Sequence, residues 1–205
     1  MHKLIPAMMA TVVLACAPLT ASAQYATNFS YTFLGIEIGS ADLEQQVLVD
    51  NEVYEELGVA DIFGSYQFSD NAAVSFSSLA MSNSGNRTEI TDTIATLSLH
   101  FPFQLNTVDL VPHIGWAGVE AEACSGNFCY SESFNSLTYG VDLRLWLVPN
   151  TLELGVGYTD YAEDELSRVV SLEAAMWAWE RHRFSLSYYD REMSKTTTIG
   201  YRYNW

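Results

Sequence analysis

Along most of this chain apolar and polar residues alternate one for one. In "SLTYGVDLRLWLV", Leu137, Tyr139, Val141, Leu143, Leu145 and Leu147 share one face, while Thr138, Gly140, Asp142, Arg144 and Trp146 share the other. In "TLELGVGYTDY", Leu152, Leu154, Val156 and Tyr158 oppose Glu153, Gly155, Gly157 and Thr159. The closing "TTTIGYRYNW" sets Ile199, Tyr201, Tyr203 and Trp205 against Thr198, Gly200, Arg202 and Asn204. A period of two marks a strand whose two faces meet different surroundings. About ten segments of this kind can be read between turn signals, from "NFSYTFLGIEIG" to the final strand.

The connections between them alternate in character. "SDN", "PN" and "RHR" are tight, whereas "SADLEQQVLVDNEVYEE", "SNSGNR", the stretch around "CSGNFC" and "AEDEL" are longer or more acidic. An even strand count, with short turns on one rim and longer loops on the other, predicts a closed antiparallel up-and-down transmembrane β-barrel. Ten strands are expected, with eight as the alternative count. A strand of about ten residues tilted near 40° climbs roughly 26 Å, the height of an outer-membrane hydrocarbon band. Aromatic residues near strand ends suit the two lipid–water boundaries: Phe29 and Tyr31, Phe101 and Phe103, Trp177 and Trp179, Tyr203 and Trp205. Two places strain the pattern. Leu34, Ile36 and Ile38 fall out of step with Phe29, Tyr31 and Phe33, which predicts a bulge. Placing Glu173 inside also carries Trp177 and Trp179 inside unless a second bulge intervenes. The competing architecture is a periplasmic lipocalin-like carrier, which shares the strand period but keeps its oily face inside.

The N-terminal stretch changes the compartment. "MHKLIPAMMATVVLACAPLTASA" carries an early Lys, a short apolar run and a small-residue "ASA". This is the pattern of a secretory signal spanning residues 1–23, with cleavage expected after Ala23 and a barrel domain over 24–205. Cys16 loosely fits a lipoprotein processing site, but the apolar run continues past it. No later segment approaches the ~20 apolar residues of a membrane-spanning helix. The whole chain has 9 Lys and Arg against 25 Asp and Glu, a formal charge of −16, and losing Lys3 with the signal makes it −17. So acidic a balance excludes nucleic acid as a partner, since phosphates need cationic side chains.

"LVPHIGWAGVEAE" resembles the Pro-aromatic-x-Gly-x-Gly strand of the OmpA-like and OmpX-like small outer-membrane barrels, with His113 standing where an aromatic is usual. "YTFLGIEIGSADL" resembles the opening strand of that family. The resemblance covers the mature chain as a pattern. It implies an outer-membrane location in a Gram-negative bacterium, a monomer, contact with membrane lipid and lipopolysaccharide, and a porin-like or scaffold role. It also implies that Tyr201, Tyr203 and the terminal Trp205 form the signal read by the outer-membrane assembly machinery.

The remaining chemistry is modest. Ten strands close to a backbone radius of roughly 10 Å, so side chains should nearly fill the lumen. The inward list gives a charge network of Asp61, Asp142, Arg144, Glu153, Glu173 and Arg202, with Asp92, His100 and His113 also inside. A tight "PN" turn would set Trp146 opposite Glu153, one diagonal step from Arg144. This network is expected to plug the lumen structurally, with a narrow conducting path as the alternative. Three His remain after cleavage, none in an outer loop, so catalysis at the rim is not expected, and no cofactor is implied. Cys124 and Cys129 are expected to form a disulfide, because no further ligand pair completes a zinc site. Asp42, Glu44, Asp50 and Glu52 are weak candidates for Ca²⁺ or Mg²⁺, set against a plain solvated acidic surface.

Overall fold

The computed structural model describes residues 29–105, 107–163 and 166–205, so the signal segment and Cys16 lie outside the described residues. Ten long strands close into one antiparallel barrel: β1 (Phe33–Val49), β2 (Glu52–Ser69), β3 (Ala72–Ser84), β4 (Thr88–His100), β6 (Val108–Ser125), β7 (Phe128–Val148), β8 (Leu152–Tyr161), β9 (Val169–Ala178), β10 (His182–Arg191) and β11 (Ser194–Asn204). A three-residue strand, β5 (Phe103–Leu105), pairs only with the start of β6. Each long strand pairs with its chain neighbour. The ring closes where β1 meets β11, from Phe33 opposite Asn204 to Leu43 opposite Ser194. The count is ten, not eight.

Side-chain polarity runs opposite to that of a soluble barrel. Leu34, Ile36, Ile38, Ile62, Leu97, Ile114, Trp116, Leu172, Leu186 and Ile199 stand exposed on the outer wall, whereas Arg144, Glu153, Arg183 and Arg202 are buried within. This orientation rules out the lipocalin-like arrangement, which requires an oily centre. The interior is nevertheless not wholly polar. Tyr54, Leu57, Val59, Met81, Ile90 and Ala41 cluster in one half of the lumen, and Phe29, Tyr31, Val111, Ala73 and Trp146 cluster in the other.

Three sequence expectations change. The bulge before Leu34 is absent, because β1 pairs in continuous register from Phe33 to Asp42 with both neighbours, and its ladder with β2 shifts only between Asp42 and Val47. Phe29, Tyr31 and Phe33 keep step with the inward face, so Phe29 and Tyr31 sit inside the barrel rather than at a lipid boundary. No bulge diverts β9 either, and Trp177 is likewise inside, packed against Trp146. Trp179 leaves the strand at a turn with φ 50° and is 81% exposed. Finally, the long acidic stretch of residues 40–56 is mostly strand, shared between the end of β1 and the start of β2. It turns only at Asp50–Asn51, whose φ values of 47° and 70° form the tight left-handed corner that Asp and Asn tolerate.

That last correction reshapes the outer rim. β1, β2 and β6 run 17, 18 and 18 residues and β7 runs 21, against 10 each for β8, β9 and β10. The extra length stands beyond the apolar belt as two tall hairpins, and Ser125 on one donates a hydrogen bond to Asp50 on the other. Cys124 and Cys129 face each other across the β6–β7 ladder and form the expected disulfide.

The belt and the hairpins should respond differently to charge. Leu143→Arg, at mid-belt, is expected to cost about 2–4 kcal/mol in denaturant unfolding from lipid vesicles. Leu48→Arg, on a tall hairpin, should stay within about 0.5 kcal/mol of wild type.

Candidate functional site: the filled lumen

The lumen is organised around Glu153, whose side chain is fully buried. Its position follows from the hairpin geometry. Trp146 lies opposite Glu153 across β7–β8, because a register shift between Trp146 and Val148 offsets the Val148–Leu152 pairing next to the turn, and Arg144 reaches Glu153 diagonally with Nε 2.8 Å from Oε1. Arg183 donates through Nε at 3.2 Å and Nη2 at 3.1 Å, and the Trp177 indole N–H donates at 2.8 Å. Arg183 also forks onto Glu173, with Nη1 2.9 Å from Oε2 and Nη2 on Oε1. Two carboxylates thus face two guanidinium groups with near-complete hydrogen bonding, the condition under which buried charge is tolerated.

Aromatic faces complete the plug. The Phe29 ring stacks on Trp146 with centroids 4.8 Å apart and planes 7° from parallel. The Arg144 guanidinium carbon sits 4.3 Å from the Phe29 centroid and 5.2 Å from that of Tyr31. Arg202 lies 4.1 Å from the Phe33 centroid and 5.1 Å from that of Trp177. Tyr31 donates its hydroxyl to Asp109 at 2.6 Å. Such cation–π contacts gain strength when the cation is desolvated.

Of the six residues expected in the charge network, Arg144, Glu153 and Glu173 meet directly. Arg202 flanks them through aromatic rings and donates Nε to Asn204 at 3.1 Å. Asp61 and Asp142 lie elsewhere. Asp61 accepts the Ser78 amide at 3.2 Å, and Asp142 lies 3.3 Å from His113. A second polar layer centres on Glu37, which accepts hydrogen bonds from Thr198 at 2.7 Å and Tyr189 at 3.0 Å. Sequence reasoning missed Arg183, because "RHR" reads as a turn. The turn is instead Trp179–Arg181, and β10 begins at His182. The outward series Phe184, Leu186, Tyr188 in "RFSLSYYD" carried the signal, since stepping back by two from Ser185 puts Arg183 inside.

The outer carboxylates are engaged locally. Glu52 accepts hydrogen bonds from the Thr88 hydroxyl and from the Asn86 and Thr88 amides at 3.0 and 3.1 Å. Glu44 pairs with Lys195, and Asp50 accepts from Ser125. Among the described residues no three-ligand group forms around Asp42, Glu44, Asp50 and Glu52. On the outward face near the short-turn rim, Tyr201 contacts His182 and Tyr203 stacks on Trp205 with centroids 6.3 Å apart.

Two outcomes follow from these contacts. Glu153→Gln leaves the buried Arg144 and Arg183 short of their counter-charge and is expected to cost about 3–5 kcal/mol in unfolding experiments. Glu173→Gln, at a side chain 25% exposed, should cost clearly less. Separately, the Thr88 hydroxyl, with the Arg87, Asn86 and Thr88 amides, holds the Glu52 carboxyl below the usual carboxylate range. Because the folded value is depressed, the contact's stabilisation is fully present above about pH 4.3, the unfolded-chain value, and is lost as pH falls through the folded one. An NMR titration of Glu52 should show this low midpoint, and Thr88→Ala should raise it.

No family model and no curated protein sequence matches the chain. Solved structures do. The attachment invasion locus protein Ail of Yersinia pestis is 17% identical, with 85% of this chain and 100% of that one covered, at a TM-score of 0.39. The N-terminal β-barrel domain of Pseudomonas aeruginosa OprF is 9% identical over 85% and 98%, at 0.40. The translocator domain of the autotransporter NalP from Neisseria meningitidis is 9% identical over 98% of each chain, at 0.48. These are among the solved structures to which the chain is similar.

Proposed function

We propose that this chain is a non-enzymatic outer-membrane β-barrel that acts as a closed envelope element and presents acidic hairpins at the cell surface. The observation carrying this is the pairing of an apolar outer wall with an interior occupied by the Arg144–Glu153–Arg183–Glu173 network and the Phe29, Tyr31, Trp146 and Trp177 rings. An apolar wall of this height is stable only against lipid, and a lumen so occupied transmits little. The signal pattern ending at Ala23 supports export. The outward aromatics Tyr201, Tyr203 and Trp205 support delivery through the outer-membrane assembly machinery as a monomer. Surface carboxylates on tall hairpins suit contact with lipopolysaccharide through bridging divalent cations or with a basic partner surface. The His and Ser side chains that could support acid–base chemistry, His100, His113 and Ser75, face the enclosed lumen, away from any large substrate.

A porin-like channel for small ions is the second reading. It is favoured by a lumen cavity of about 410 Å³, lined by residues from Tyr31 and Arg202 through His113 to Arg191. Planar-bilayer recording of the refolded protein separates the two. The closed reading expects a nearly silent wild type, with current steps appearing in a Phe29→Ala, Tyr31→Ala double variant. Large, long-lived steps in the wild type would favour the channel.

A further inference from the structure

We propose that the lumen contains a binding site for one divalent transition-metal ion, formed by His100, His113 and Asp142. The three come from adjacent strands, β4, β6 and β7. His100 lies directly opposite His113 in the ladder, with ring centroids 5.2 Å apart. One ligand atom from each residue lies within 4.8 Å of the other two, and His113 Nδ1 is 3.3 Å from Asp142 Oδ2. Tetrahedral coordination at 2.0–2.1 Å separates ligand atoms by roughly 3.3 Å, so one edge already fits and the others close by small side-chain rotations.

The surroundings are those of a ligand set. The His113 side chain is 7% exposed, and its Nδ1 is buried with no hydrogen-bond partner, although Asp142 lies beside it. A buried polar atom left without a bond is costly unless something else occupies it. The other ring nitrogen is engaged by a hydroxyl in both cases: His100 Nε2 with Ser75 at 2.6 Å, and His113 Nε2 with Thr159 at 3.2 Å. That outer contact orients a metal-ligating imidazole and selects which nitrogen faces the ion.

The backbone also makes room for these side chains. A Cβ at Gly140 would lie 2.6 Å from His113 Nε2, and one at Gly157 would lie 2.5 Å from Asp142 Oδ1. Both glycines therefore leave niches in which the imidazole and the carboxylate rest. All three ligands line the lumen cavity, which leaves open positions for water. Two imidazoles and one carboxylate favour zinc, cobalt, nickel or copper over calcium or magnesium, which require oxygen-rich shells. The site is independent of whether the lumen conducts.

The test uses tag-free, refolded barrel stripped with chelator and titrated calorimetrically with Zn²⁺, alongside the visible spectrum of added Co²⁺. One equivalent should bind per chain, and a tenfold excess of Mg²⁺ should not displace it. His100→Asn, His113→Asn and Asp142→Asn should each weaken binding at least tenfold. Asp70→Asn, in the short turn between β2 and β3, should bind as wild type. No Zn²⁺ or Co²⁺ binding by the wild type, or binding unchanged in the three ligand variants, overturns the proposal. Should the variants not fold, anomalous scattering from zinc-soaked wild-type crystals decides. A peak between the two rings supports the site, and its absence there refutes it.

Discussion

One buried carboxylate organises the interior. Glu153 accepts hydrogen bonds from Arg144 on β7, Trp177 on β9 and Arg183 on β10, so four consecutive staves meet at a single side chain. Glu153 itself is sealed from water, and each of those donors requires an acceptor there. Glu153 supplies it, and the strand register is the one that brings all three within reach. A slip of two residues in either flanking hairpin would separate the charges. The electrostatics therefore specify the pairing that the uniform outer wall cannot, since an apolar belt tolerates many registers.

The remaining filling follows from the same constraint. Arg144 and Arg202 have faces that no carboxylate reaches, and aromatic rings cover them. Towards the tall hairpins, where fewer charges point inward, Leu57, Met81 and Ile90 fill the space instead. Both halves avoid empty volume by different chemistry, and the cavity between them is where His100, His113 and Asp142 face one another.

The wall was legible in the sequence because it depends on a period of two, which a linear reading captures directly. The outward faces of β7, β8 and β11 match it residue for residue. The Trp146–Glu153 pairing read from a two-residue turn is present, although the structure reaches it through a longer turn and a register shift between Trp146 and Val148. What escaped was set by three-dimensional proximity or by turn phase. Arg183 was hidden by placing a turn two residues late. Phe29 and Tyr31 looked like boundary aromatics because composition cannot distinguish a ring facing lipid from one packed on a guanidinium group. His100 and His113 are 13 positions apart in sequence, and nothing in their local spacing shows that the β4–β6 ladder sets them side by side. The acidic stretch of residues 40–56 read as a loop because its polarity suits water, yet it is strand, and from Glu44 to Leu48 that strand meets water on both faces.

The stretch bearing Phe29 and Tyr31 has a mechanical consequence. It leads straight into β1, which forms the seam with β11, so the cork is tethered to the very stave at which the cylinder closes. Shifting the Phe33 end of that seam therefore draws the rings of Phe29 and Tyr31 with it, so the firmness of the β1–β11 ladder also sets how firmly the cork is held.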